Sequence, residues 1–171
     1  MPLAATLLLC TVLTVQDGDT LRTRCDAGRG GKQEVVTVRL HAIDAPEHGQ
    51  PYGRRARQVL ASLVARRPVR LACVDTDRFE RRVCQVWVAP AETPDGPPTV
   101  DAGLALVAAG QAWWYRHFAS AQTADERARY AAAEEDARAH RRGLWREGER
   151  ATPPWQWRRT HPRHADVAAA P

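Results

Sequence analysis

The sequence has almost no lysine: Lys32 is the single one, so arginine carries nearly all of the positive charge. A guanidinium is a planar fork that matches two phosphate oxygens at once, whereas an ammonium is a point charge. With a formal net charge of +5 and a pI near 9.5, the chain favours phosphate-bearing partners, although a generally arginine-rich composition gives the same balance. Cysteine is scarce too, at Cys10, Cys25, Cys73 and Cys84, with no CxxC pair. A zinc site is therefore not expected. A Cys10–Cys25 disulfide across one hairpin is open to the chain in an oxidising compartment, and Cys73 and Cys84 read equally as small core residues. No apolar run approaches the roughly 20 residues that a membrane-spanning helix needs, so a soluble protein is expected. The histidines, His41, His48, His117, His140, His161 and His164, share no metal-binding or catalytic spacing and read as solvated or structural.

What is present suits one domain. The chain has 171 residues, 44% of them hydrophobic, enough for a single packed core with loose ends. Residues 1–9 are apolar but short, with no basic residues ahead and no small-residue cleavage site behind. Residues 1–10 thus read as the remnant of a signal peptide or as a disordered N-terminus, with a secreted or periplasmic location expected. Residues 11–150 read as the folded domain, and 151–171 as a Trp- and Arg-containing tail with a disordered end.

Within the domain, residues 11–15 and 21–25 are short β-type runs around a QDGDT turn, and a glycine-rich stretch (Gly28, Gly30, Gly31) leads to a third strand at 35–40. From 51 to 66 the period changes to helical, with Ala56, Val59, Leu60, Leu63 and Val64 on one face and arginines on the other, until Pro68. Two strands follow at 69–74 and 83–88, then helices at 101–109 and 123–140. This order predicts an α+β fold, a five-stranded OB-fold-type β-barrel with about three covering helices, because closing the sheet removes its edges.

The residues able to do chemistry cluster on loops. Asp17 and Asp19 flank Gly18, and Asp44 and Glu47 follow the third strand in IDAPE. Clustered carboxylates suit a hard cation such as Ca²⁺, although an Asp-Gly pair is also the mark of a plain hairpin turn. Arg39 and Arg81 lie near the same loops. Taken singly each reads as a solvated strand arginine, but together beside carboxylates they make sense if a phosphate sits between them and a metal. Trp113, Trp114, Tyr115 and Phe118 form an aromatic cluster that is part core and part stacking surface for bases.

VQDGDT from Val15, VRLHAIDAPE from Val38, PYGRRA from Pro51, DRFERR from Asp77, GQAWWY from Gly110, and the terminal GLW and PPWQWRR resemble, in order and spacing, the motifs of the staphylococcal nuclease (thermonuclease) family. The resemblance spans about 11–159. It implies a calcium-dependent endonuclease acting on DNA or RNA that leaves 3′-phosphates; single strands, which present both phosphates and stackable bases, are the expected substrate, and a monomer is expected. It implies Asp19, Asp44 and the carbonyl of Ala45 as calcium ligands, with Asp17 close by. Glu47 would be the general base, Arg39 and Arg81 the phosphate-binding catalytic arginines, and Arg78, Phe79, Tyr115 and Phe118 substrate contacts. Two departures stand out: Glu80 replaces a glycine before the second arginine, which makes Arg82 an alternate for Arg81, and Ala45 replaces a threonine. The alternative is a catalytically inactive nucleic-acid-binding module on the same fold. Against it, both metal carboxylates, the base and both arginines are present. A plain oligonucleotide-binding barrel ranks below both, since carboxylates in a phosphate groove repel the ligand without a cation.

Overall fold

The computed structural model describes residues 6–26 and 32–162, and its architecture is a closed, mixed five-stranded barrel covered by helices. Strands β1 (Thr6–Val15), β2 (Thr20–Cys25) and β3 (Glu34–Leu40) form an antiparallel meander. A two-residue strand, β4 (Ile43–Asp44), and helix α1 (Gly53–Val64) lead to β5 (Pro68–Thr76) and β6 (Arg82–Val88). β5 pairs with both β1 and β6, and β6 closes the barrel by pairing parallel with β3, Arg39 opposite Val83. The register slips between Val12 and Thr14 and between Cys73 and Asp75. Such bulges bend strands and let a small sheet curl shut.

The inward positions fill the barrel with Val12, Leu21, Val38, Leu40, Leu71 and Val86. Helix α1 caps it with Ala56, Leu60 and Val64, four residues apart and fully buried, as the sequence period predicts. Each buried leucine or valine contributes about 1.5–3 kcal/mol. The short strand β7 (Val100–Asp101) runs into α2 (Ala102–Ala108), where the Asp101 carboxylate accepts from the Gly103 and Leu104 amides and from the buried Tyr130 hydroxyl. That last bond ties α2 to α3 (Ala124–Ala139), which starts at a Thr123/Glu126 capping box. Between these helices, β8 (Trp113–Trp114) pairs with β4, Asp44 opposite Trp113. Short 3₁₀ turns span Arg116–Ala121 and Gly143–Arg150.

Three expectations change. β1 begins at Thr6, five residues before the expected start, because its outer half pairs with β5 from Thr6↔Cys73 to Thr11↔Pro68. The tail folds: α4 (Pro154–Thr160) starts on a proline at its first turn, and Trp155 packs on a second cluster of Trp113, Ala137, Leu144 and Trp145. Cys73 and Cys84 are not separate thiols but a disulfide, as are Cys10 and Cys25. Each bridge joins residues already paired across neighbouring strands. The glycine-rich stretch and the expected disordered end fall on 27–31 and 163–171, outside the described residues. Among the described residues no helix is long and apolar enough to cross a membrane.

Because each bridge closes a loop of 11 or 15 residues, reduction is expected to lower stability by about 2–4 kcal/mol per bridge. Urea unfolding of oxidised and reduced protein measures this, and coincident midpoints would show that the bridges contribute nothing.

Candidate active site

One end of the barrel opens into a cleft of about 750 Å³. Every residue singled out from the sequence lines it: Asp19, Arg39, Asp44, Ala45, Glu47, Arg78, Phe79, Arg81, Tyr115 and Phe118, with Asp17 beside them. Four local features bring them together. The turn after β1 presents Asp17 and Asp19, β3 carries Arg39 next to its last residue, β4 ends at Asp44 and leads to Glu47, and the β5–β6 turn carries Arg78 to Arg81.

Glycine makes the loops meet. A Cβ on Gly18 would lie 2.6 Å from the Ala45 Cβ and 2.7 Å from the Ala56 Cβ, so the turn can rest against the Ala45 loop and α1 only without a side chain. A Cβ on Gly53 would lie 2.0 Å from the Glu47 carbonyl oxygen, which pins the Glu47 loop on the start of α1. Further bonds lock the turn: the Leu40 amide donates to the Asp19 carbonyl, the Asp19 amide to Asp17, and the Ala45 amide to Asp19 Oδ2 at 2.7 Å.

At the floor sits a buried charge cluster. Arg39, 8% exposed, lies between Asp19 (7%) and Asp44 (1%), with Nη1 3.2 Å from Asp19 Oδ2 and Nη2 donating to Asp44 Oδ1 at 3.2 Å. A residue not foreseen from the sequence completes it. Arg158 on α4 donates through Nη1 and Nη2 to both oxygens of Asp44, at 3.1 and 2.8 Å, and through Nη1 to Glu47 Oε1 at 2.8 Å. Burial pushes the Asp19 carboxyl up to about 6, against the pull of Arg39 and with added repulsion from Asp17. Burial likewise raises Asp44, opposed by the Arg158 hydrogen bonds and the charge of Arg39. The carboxylates of Asp17, Asp19, Asp44 and Glu47 thus outnumber the two guanidiniums on them.

The other arginines divide. Arg81 donates through Nε to Asp77 at 2.8 Å, and its terminal nitrogens have no acceptor among the described residues. Hydrogen bonds from the Arg81 backbone and side chain and the Phe79 amide outweigh partial burial and hold Asp77 below the usual carboxylate range. Glu80 occupies φ 61, where the family's glycine is at ease, yet the turn closes with the Glu80 amide donating to the Asp77 carbonyl. The left-handed backbone costs about 1–2 kcal/mol for an L-residue, which this turn tolerates. Arg82 pairs with Glu34 on the outside of the barrel and does not line the cleft. Phe79 is exposed beneath the Arg78 guanidinium. Tyr115 meets Phe118 edge-on and is itself stacked by Trp155, at 5.6 Å and 25°. Trp113 and Trp114 are buried and structural.

The donor set offered by Asp19, Asp44 and the Ala45 carbonyl is all oxygen, the chemistry of a hard cation such as calcium. Among the described residues no group of three or more His, Cys, Asp and Glu is gathered for a metal. Any cation there would rest on two carboxylates, a carbonyl and water.

The fold and the site define a closed barrel with a cleft lined by arginines and carboxylates at one end. Residues 37–147 match the model of the staphylococcal nuclease homologues. The chain is 41% identical over 150 residues to Protein ParB of Escherichia coli, covering 86% of this chain and 77% of that one. It is 36% identical over 149 residues to the micrococcal nuclease of Shigella flexneri (86% and 79%), and 33% over 147 residues to an uncharacterized endonuclease of Escherichia coli O157:H7 (86% and 82%). The chain belongs to the staphylococcal nuclease family.

A Gly18→Ala variant is expected to lose about 1–3 kcal/mol through overpacking against Ala45 and Ala56. An unchanged urea midpoint would show that the turn can retreat freely.

Proposed function

We propose that this protein is an exported, calcium-dependent endonuclease that hydrolyses phosphodiester bonds of DNA or RNA, preferring single strands and leaving 3′-phosphates. The observation that carries the reading is the convergence of Asp19, Arg39, Asp44, Glu47 and Arg81 on one cleft from four separate loops. Family membership alone supplies the fold and not the activity. The names of the Shigella and Escherichia relatives support the same reaction class.

Asp19, Asp44 and the Ala45 carbonyl would hold the cation. Calcium bound there supplies positive charge against the phosphate oxygens. Glu47, at the cleft wall, takes a proton from the attacking water as the water oxygen bonds to phosphorus and the bond to the 5′ oxygen breaks. Arg39, fixed by its two carboxylates, and Arg81, through its terminal nitrogens, stabilise the charge that grows on the phosphate. The exposed Phe79 offers a flat face to unpaired bases, with Tyr115 and Phe118 beside it in the cleft, at about 1–3 kcal/mol per stacked base, which favours single strands. Two disulfides support a location outside reducing cytosol. Barrel closure leaves few free strand edges, in keeping with a monomer.

Digestion of single-stranded DNA with millimolar calcium, with chelator, and by Glu47→Gln in calcium tests the reading. Cleavage is expected only with calcium, and the variant should lose about 10²–10⁴-fold in rate. Intact DNA under all three conditions, with binding retained, would make the protein a nucleic-acid-binding module instead.

A further inference from the structure

Arg158 lies on the two side chains that the proposed reaction uses as cation ligand and as base. Its guanidinium spans both oxygens of Asp44 and reaches Glu47 with the same nitrogen. A bidentate guanidinium uses the lone pairs that a divalent cation on Asp44 would need, and its positive charge repels that cation at close range. Three residues earlier, on the same face of α4, Trp155 stacks on Tyr115. One helix therefore covers both the carboxylate seat and part of the aromatic surface.

This helix is lightly held. Seven residues are too few to form a stable helix alone. Its anchors are the Trp155 contacts, the buried Pro154, the bond from Gln50 Nε2 to the Thr152 carbonyl, and Arg158 itself. The Arg158 side chain keeps 36% of its surface in solvent, so it has an exit path. Charge balance explains why it settles inward. Without it, Asp44 would share the guanidinium of Arg39 with Asp19, in a seat where burial already opposes ionisation.

We propose that Arg158 is a tethered counter-cation of the active site. It neutralises Asp44 and Glu47 until a divalent cation displaces it, and its displacement loosens α4 and uncovers Tyr115 for a base. The cation affinity of the site is thus set by a residue at the far end of the chain, and cation binding is coupled to opening of the substrate surface. This inference rests on the calcium reading above.

The test is calorimetric titration of the full chain with calcium chloride alone, without nucleic acid, for wild type, Arg158→Gln and Arg158→Lys. Hydrogen exchange of the α4 amides is followed in parallel, and urea midpoints confirm that the variants fold. Arg158→Gln is expected to bind calcium at least about tenfold more tightly than wild type, about 1.4 kcal/mol. Arg158→Lys, which keeps the charge but loses the fork, should fall between them. Calcium should speed exchange at Trp157 and His161 in wild type, and in Arg158→Gln that exchange should be fast before calcium is added. Equal or weaker calcium affinity in Arg158→Gln would overturn the role of Arg158 and leave the calcium reading standing. No calcium uptake by any of the three proteins would overturn the calcium reading, and this inference with it.

Discussion

Asp44 is a charge almost wholly removed from water, and its compensation organises the cleft. Removing a carboxylate from water costs several kcal/mol, and neighbours must return that through well-placed donors. Asp44 receives one arginine from the barrel wall and another from the C-terminal helix. Asp19, on the other side of Arg39, is in the same position with one arginine instead of two, and burial shifts its titration upward. A site built this way holds strongly negative oxygen atoms in fixed places, the donor chemistry a hard cation favours, with the Arg39 and Arg81 guanidiniums lining the same cleft.

The barrel supplies the fixed places through its closure. β3 and β6 are far apart in sequence, yet their parallel pairing sets Arg39 opposite Val83, two residues past Arg81. The two arginines that flank the cleft are therefore related by strand register together with the short β5–β6 turn, in which Asp77 holds Arg81. The β4–β8 pair adds a second constraint: Asp44 is held by the buried Trp113 backbone, and the Trp114 amide in turn donates to the buried Glu134 of α3. Helices on the outside thereby fix a carboxylate on the inside.

Much of this was legible in the sequence because it rests on local signals. Short β-type strands, the α1 stripe at Ala56, Leu60 and Val64, and the helix beginning at Thr123 each depend on neighbours a few residues away. The loop carboxylates and arginines were legible as an ordered set of motifs. What escaped depends on long-range partners. The early start of β1 is imposed by β5, some sixty residues on in the chain by the pairing of Thr6 with Cys73. The second disulfide follows from register, since Cys73 and Cys84 face each other only once β5 and β6 align. Arg158 carried no local mark that distinguished it from Arg159, and its reach into the cleft becomes visible only when Trp155 seats α4 on Tyr115 and Trp113. The proline start at Pro154 and the pair Trp155 and Trp157 were the signals that this tail is structured.

The placement of the two disulfides divides the barrel into covalent and purely noncovalent seams. One staples β1 to β2 and the other β5 to β6, while the β1–β5 and β3–β6 junctions have no cross-link. An oxidised but unfolded chain thus already carries two preformed hairpins, so assembly reduces to docking two stapled halves around α1, with less loop entropy left to overcome. The cleft straddles one of the unstapled junctions, with Arg39 on one half and Arg81 on the other. Closure of that junction is then also what brings Arg39 and Arg81 to one cleft.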